Sequence, residues 1–456
     1  MSSKLVVHRQ WNDIQHSVTS LLAILDVLLN LEYHSHQLHV QDLTHRMVAS
    51  HMRTAYIVPT SRSYMYTRYP SEPILTVAAL DLVWEATEKG DISKYPSGDP
   101  MLDMFMSIDT TNPGAIDKGE RGKNVGKMLL LRAYMQAVVH NLGVQPTPSK
   151  IPWQNRCSLA TFLKCLAAKP YHDVILNSKP DNTTSDTRTL EKAFENSWVR
   201  FMHFARAADN SAMTSTMSWV AYVRGMAVIG WHSQASVDLQ IPVMLDKNGF
   251  INEENMSSIL VQFRLKGQES TLSTAAVNQA NIRYFPPNGS RRDAFFKVTS
   301  LPGLSESDFK DRKDAYCARP YISLVMELAI MQTEDKNPAR LVSDLLDAVK
   351  PETNPTSTKK DTTSKKTESM LSQAKPTSNK GHKSQGSQVL TAPQPTRQGT
   401  CLKRADMHPR YSLFIYGCSQ TVYRHVNGSS RANYLKLLQI GSIFGDHPLI
   451  GRLDLY

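Results

Sequence analysis

The chain has 456 residues, 41% of them apolar, and a formal net charge of +11. This length suits two or three domains, and the apolar fraction is sufficient for a hydrophobic core. The most apolar helical run, residues 18–31, contains Asp26 and Asn30 and is shorter than the roughly 20 residues that a bilayer requires. We therefore expect no membrane segment, and the basic N-terminus lacks the apolar core of a signal peptide.

The cysteines indicate the cellular environment. There are five, and none forms a CxxC pair or a short disulfide framework. Cys157 and Cys165 flank an apolar stretch that is typical of a buried helix, so we interpret them as core thiols. The pattern predicts a reducing, intracellular protein.

Most of the positive charge lies in one segment. Residues 350–404 carry eleven Lys or Arg against three acidic residues, which accounts for +8 of the net +11. This segment is rich in Ser, Thr, Pro and Lys and poor in aromatic residues, so residues 348–404 are predicted to be a disordered basic linker. We interpret its lysines as those of a solvated spacer. The alternatives are that they contact DNA phosphates or form a nuclear localisation signal.

The first region, residues 1–150, reads as mainly helical. Apolar spacing predicts helices over residues 11–31 and 126–142, and residues 53–59 resemble a short strand that ends at Pro59. Residues 405–456 are expected to contribute strand and turn structure that packs on the core.

Residues 151–347 are predicted to form an α/β domain. Thr189 can cap a helix with apolar spacing through Ala205, and a second helix is expected over residues 213–224. Strands at 226–231, at Asp238 and at 259–265 follow, then a weak helix over 271–280 and an apolar strand from residue 321. The order is α-β-β-β-α-β.

Polar side chains interrupt two of these predicted strands. Asp238 lies in one, and Gln262, Arg264 and Lys266 fall at every second position of the next, which puts those three on one face of a strand. Oxygen ligands of this kind hold Mg²⁺, which polarises water against a phosphodiester. Glu191, on the preceding predicted helix, could add a carboxylate. The alternatives are that Asp238 caps a turn or pairs with Arg264, and that Gln262 satisfies backbone groups.

This pattern resembles the restriction-endonuclease-like, or PD-(D/E)xK, superfamily. A narrower resemblance runs along most of the chain, to a protein family of basidiomycete, mushroom-type fungi whose relatives resemble Crinkler-type proteins. It is carried by YPSEPIL (69–75), GERGKNVGKMLLL (119–131), NSWVRFMHF (196–204), RGMAVI (224–229), VDLQIPVML (237–245), ILVQFRLK (259–266), PYISLVMEL (320–328) and YSLFIYGCS (411–419). Crinkler-type proteins join a P-loop NTPase module to a restriction-endonuclease-like domain.

Two departures limit what this resemblance implies. The string GERGKNVGKM has Arg121 where a P-loop needs glycine and Met128 where it needs a hydroxyl, so no nucleotide is expected and the string is interpreted as a loop before an apolar helix. The chain thus resembles the C-terminal portion of the NTPase-nuclease architecture. The relatives carry Gln-x-Lys where this chain has Gln262 and Arg264, and Arg cannot deprotonate water.

The sequence therefore leaves two functions open. One is a PD-(D/E)xK nuclease-like protein that acts on DNA with Mg²⁺, in active or degenerate form. The other is a non-catalytic module that binds a protein or nucleic acid.

Overall fold

The structure is a computed structural model that describes most of the chain outside the basic segment. All described residues belong to one unit, residues 1–334 with 403–456. The described ranges are 18–33, 38–61, 65–90, 94–112, 114–143, 151–183, 186–209, 212–231, 237–265, 276–285, 318–329 and 408–438. The predicted linker over 348–404 and the candidate Lys266 lie outside the described residues.

Helices dominate the chain before residue 150. They are α1 (Val18–Leu29), α2 (Leu38–Ser50), α3 (Pro73–Lys89), α4 (Pro100–Thr111) and α5 (Lys118–Leu142), with a hairpin of β1 (Thr54–Ile57) and β2 (Tyr66–Arg68) between α2 and α3. The predicted helix over 126–142 and the short strand before Pro59 are confirmed. Both α3 and α4 begin with proline, whose fixed φ suits the first helical position.

The later elements build a curled mixed sheet with flanking helices. The strands are β3 (Cys157–Ser158), β4 (Trp198–Val199), β5 (His203–Arg206), β6 (Met226–Ile229), β7 (Leu239–Met244), β8 (Met256–Arg264), β9 (Tyr321–Glu327) and β10 (Arg410–Tyr416). The helices are α6 (Leu159–Leu166), α7 (His172–Leu176), α8 (Leu190–Ala193), α9 (Ser215–Arg224), α10 (Gln279–Ile282) and α11 (Gly428–Leu438). The predicted α/β class is correct.

Among the described residues the main sheet has eight strands in the order β10-β9-β8-β7-β4-β3, and β6 also pairs with β7 and with β5. The strands β5, β6, β8, β9 and β10 run in one direction, because β5 is parallel to β6, β8 to β9 and β9 to β10, whereas β7 is antiparallel to both β6 and β8. The two-residue β4 is also antiparallel to β7 but pairs with its carboxyl end, so the carboxyl ends of the other five strands lie at the same edge as the amino end of β7.

One helix prediction is wrong in its length. Thr189 does cap a helix, by accepting the N–H of Lys192, but α8 ends at Ala193. Trp198 lies in β4 and Ala205 in β5, where backbone pairing with β7 and β6 replaces helical hydrogen bonds. Apolar spacing of three and four also fits residues that are buried in successive short strands, so tertiary pairing decides this segment.

The glycine-rich string that resembles a degenerate P-loop is helical, which corrects its interpretation as a loop. Residues 119–127 form the first turns of α5. A Cβ added at Gly126 would overlap the ring of Phe263, and one at Gly122 would overlap the side chain of Leu265. These glycines let α5 approach β8 closely.

The helices and the sheet share one hydrophobic core. It runs from Leu22 in α1 through Leu129 in α5 to Ile241 in β7 and Leu437 in α11, all of which are buried. A smaller core on the other side of the sheet contains Leu260. Cys157 and Cys165 are buried free thiols, as predicted. No helix in the described part of the chain is long and apolar enough to cross a bilayer.

Candidate functional site

Polar side chains collect at the edge of the sheet where five strands end. Arg206, Arg264, Glu327 and Tyr416 are the last residues of β5, β8, β9 and β10. Asp238 stands immediately before β7 at the same edge. Ligands of open α/β sheets bind outside the carboxyl ends of strands, so this edge is the candidate site.

Asp238 leaves the regular register of the sheet. Its N–H donates to the carbonyl of Val261, although the ladder partner of Val261 is Leu239. The Asp238 carboxylate accepts the N–H of Phe263 through Oδ2 at 2.9 Å and faces Lys123 Nζ of α5 through Oδ1 at 3.2 Å. This local irregularity releases the side chain from strand alternation, and the carboxylate is directed at α5.

Lys123 connects Asp238 to a larger group of charges. Its Nζ also lies 3.3 Å from Glu120 Oε1, and Glu120 Oε2 lies 3.8 Å from Arg206 Nη2. Arg206 Nη2 contacts Glu32 Oε2 at 2.6 Å, and Glu32 Oε1 contacts Nη2 of Arg68, in β2, at 3.1 Å. We call this set the ionic cluster, and its members are Glu32, Arg68, Glu120, Lys123, Arg206 and Asp238.

Mutual attraction favours the charged forms of Lys123 and Glu120. Burial alone would lower the pKa of Lys123, but the carboxylates of Asp238 and Glu120 raise it above its ordinary value. Burial alone would raise the pKa of Glu120, but nearby Lys and Arg side chains lower it. The side chain of Lys123 is 37% exposed and that of Asp238 22%, whereas Arg206 is 6% exposed. The cluster therefore opens to solvent at Lys123.

A buried lysine lies beneath the cluster, one turn along α5. The pKa of Lys127 is lowered to about 7, mainly by burial; Glu120 opposes this shift, and Arg206 and Arg68 add to it. Its Nζ donates to the carbonyl of Leu29 at 2.7 Å, at the end of α1.

Gln262 and Arg264 make a separate set of contacts. Arg264 donates to Gln262 Oε1 through Nη2 at 2.7 Å and Nε at 3.1 Å, and its Nη1 lies 3.7 Å from Oε1 of the fully buried Glu327. Because Phe263 packs against α5, strand alternation puts Gln262 and Arg264 on the opposite face of β8. Burial and Glu327 together raise the pKa of Tyr416, at the end of β10, to about 12.

The structure thus brings Asp238, Gln262 and Arg264 to one edge of the sheet without joining them in one constellation. No hydrogen bond or ion pair in the described part of the chain connects Asp238 with Gln262 or Arg264. Glu191 is exposed on α8, away from this edge. The segment after it lies near the carboxyl end of β7, where the backbone N–H of Lys247 donates to the carbonyl of Asn196. Lys266 is not described.

Sequence reasoning missed Lys123, the partner of Asp238, and Glu120 and Arg206, which extend the ionic cluster from Lys123. The available signal was the charge of the string GERGKNVGK, which is unusual next to the apolar helix that follows it. Within the described ranges, no group of three or more His, Cys, Asp or Glu is placed to hold a metal ion.

Comparison with known proteins yields one match. Residues 9–278 match a family model described as a domain of unknown function (DUF8736). This range contains every member of the ionic cluster and ends before β9. No curated protein and no solved structure matches the chain. Because the matched range is more than half of the 456 residues, the protein belongs to the DUF8736 family.

Proposed function

We propose that this protein is a restriction-endonuclease-like protein of the PD-(D/E)xK type, directed at DNA phosphodiesters with Mg²⁺ and built around Asp238. The observation that carries the proposal is the order of the helices and strands and the direction in which the strands pair. Helix α9 precedes the antiparallel β6, β7 and β8, and α10 then precedes β9, which is parallel to β8. Asp238 opens the middle strand, and the resemblance to Crinkler-type proteins supports the same class.

The chemistry available at this edge is that of phosphodiester cleavage. Asp238 and Glu120 would hold the divalent ion, because both are partly exposed carboxylates that already share one cation, Lys123. Bound Mg²⁺ would polarise a water molecule and the phosphate. Lys123 and Arg206 supply positive charge for the phosphate, and the raised pKa of Lys123 keeps it protonated, which suits charge stabilisation and not proton abstraction.

We expect the activity of the native protein to be weak or absent. Gln262 lacks the charge of a carboxylate, and its oxygen accepts two hydrogen bonds from Arg264. The guanidinium group of arginine is not a general base, so Arg264 does not replace the lysine of the relatives in that role. The motif expected on β8 therefore contributes little to a metal site, and cleavage depends on Asp238 and α5.

A second candidate is a non-catalytic module that binds DNA or a protein. The observation that favours it is that both carboxylate oxygens of Asp238 already have partners. One accepts a backbone N–H, and the other faces an ammonium group. In that case the ionic cluster is a structural joint between α5 and the sheet.

A plasmid-nicking assay with Mg²⁺, Mn²⁺ or EDTA separates the two functions. We expect slow nicking that requires the divalent ion and is abolished by Asp238→Ala. The control Asp42→Ala removes an acid whose ion pair with Arg46 lies on the surface of α2, and it should leave the rate unchanged. Cleavage that survives Asp238→Ala would show that the site lies elsewhere. DNA binding without cleavage under every cation would favour the module.

Arg264→Lys tests which residues form the site. If Gln262 and Arg264 belong to it, this change restores the lysine of the relatives and raises the rate. In the arrangement proposed here Arg264 pairs with Glu327 on the opposite face of β8, and the rate should not change.

A further inference from the structure

The position of Lys123 suggests how the proposed site is controlled. Its ammonium lies 3.2 Å from Asp238 Oδ1 and 3.3 Å from Glu120 Oε1. These are the two carboxylates that would bind a divalent ion, so ammonium and ion compete for the same oxygen atoms. An ion that enters must displace Lys123.

Lys123 can also move more easily than the two carboxylates that it faces. Its side chain is 37% exposed, more than Asp238 or Glu120, and it ends a flexible four-carbon chain. Rotation toward solvent would take the ammonium away from both carboxylates while α5 stays in place.

A buried cation beside this position points to an anionic ligand. Arg206 is 6% exposed and lies 3.8 Å from Glu120, and its Nε–H has no hydrogen-bond partner among the described residues. Arg206 Nη2 already pairs with Glu32 at 2.6 Å, but the covered Nε–H is a costly donor without an acceptor, and a phosphate oxygen would supply one once the side chains over it move apart on binding. Lys123 and Arg206 therefore offer two positive groups to a phosphodiester.

We propose that Lys123 is an internal counter-ion that blocks the divalent-cation position until a nucleic-acid phosphate draws it away. This inference rests on the proposed function. It couples the two ligands, because DNA that binds Lys123 frees Asp238 and Glu120 for the cation. By reciprocity, the cation then raises the affinity for DNA by the same factor.

The test measures Mn²⁺ binding by electron paramagnetic resonance, with and without a phosphorothioate DNA duplex of about 20 base pairs, and with the duplex alone as blank. The variants are Lys123→Met, Lys123→Gln and Asp238→Asn. Lys192→Met is the matched control, because Lys192 pairs with Glu195 on the surface. Circular dichroism establishes that each variant is folded.

For the native protein we expect weak Mn²⁺ binding that DNA strengthens about tenfold, a typical size for coupling between sites. Lys123→Met and Lys123→Gln should bind Mn²⁺ about tenfold more tightly without DNA and lose the response to DNA. Lys192→Met should behave as native.

Two negative results have different meanings. If native protein binds Mn²⁺ through Asp238 but neither Lys123 variant binds it more tightly, the counter-ion role is wrong and the proposed function stands. The other result is that no Mn²⁺ binding depends on Asp238: either none of the proteins binds Mn²⁺, or Asp238→Asn binds it as well as the native protein does. The proposed function then fails, and the inference fails with it.

Discussion

At the scale of single residues, buried hydroxyl groups show which polar contacts stabilise the fold. Tyr434 on α11 is fully buried and donates to Asp99 Oδ2 at 2.7 Å. Asp99 caps α4 and also pairs with Arg132 of α5 at 3.3 Å. The carboxylate thus joins α11 to α4 and α5.

Tyr434→Phe should reduce the free energy of unfolding by about 1.5–3 kcal/mol, because it removes a buried hydrogen bond to a charged group. Tyr423→Phe is a matched control. Tyr423 is equally buried, but its hydroxyl has no partner among the described residues, so its removal should cost less than about 1 kcal/mol. Urea unfolding measures both, and equal losses would contradict the role of Asp99.

Asp238 illustrates what can be predicted at this scale. An acid among apolar strand residues indicated a special position, and the structure places it at the edge where five strands end. Its partners could not be predicted, because Lys123 and Glu120 lie more than a hundred residues earlier in the chain.

At the scale of elements, the packing of α5 on β8 depends on small residues. Gly126 and Gly122 lie where α5 meets Phe263 and Leu265. Glycine normally weakens a helix interior, so its presence here reflects close approach between helix and sheet.

Gly126→Ala should destabilise the protein by about 1–3 kcal/mol, because overpacking against Phe263 exceeds the gain in helix propensity of about 1 kcal/mol. Gly119→Ala, in the first turn of the same helix, meets no atom within 4 Å and should be neutral or stabilising. Thermal unfolding compares the two. Similar stabilisation by both changes would mean that the contact with Phe263 imposes no constraint.

At the scale of the whole molecule, burial of histidines makes stability depend on pH. Burial, with help from nearby arginines, lowers the pKa of His203 and of His408 to about 4 and that of His425 to about 3, from an ordinary 6.5. Between these values the unfolded chain binds protons that the folded chain does not.

The free energy of unfolding should therefore fall as the pH drops from 6.5 toward 4, by up to about 1.4 kcal/mol per pH unit for each histidine. His203→Gln removes one titrating group and should make this dependence shallower. Urea unfolding at several pH values checks it, and a stability that stays constant between pH 6.5 and 4 would refute it.

By itself, the sequence determined the α/β class, the apolar helix α5 and the strands around Asp238, because these depend on local periodicity and on residues close together in the chain. The tertiary structure decided that α8 ends early, that the glycine string is a helix packed on β8, and that Asp238 pairs with α5 while Gln262 and Arg264 occupy the other face. Strand pairing, close packing and the burial of charge depend on residues far apart in sequence, and only the folded chain brings those residues together.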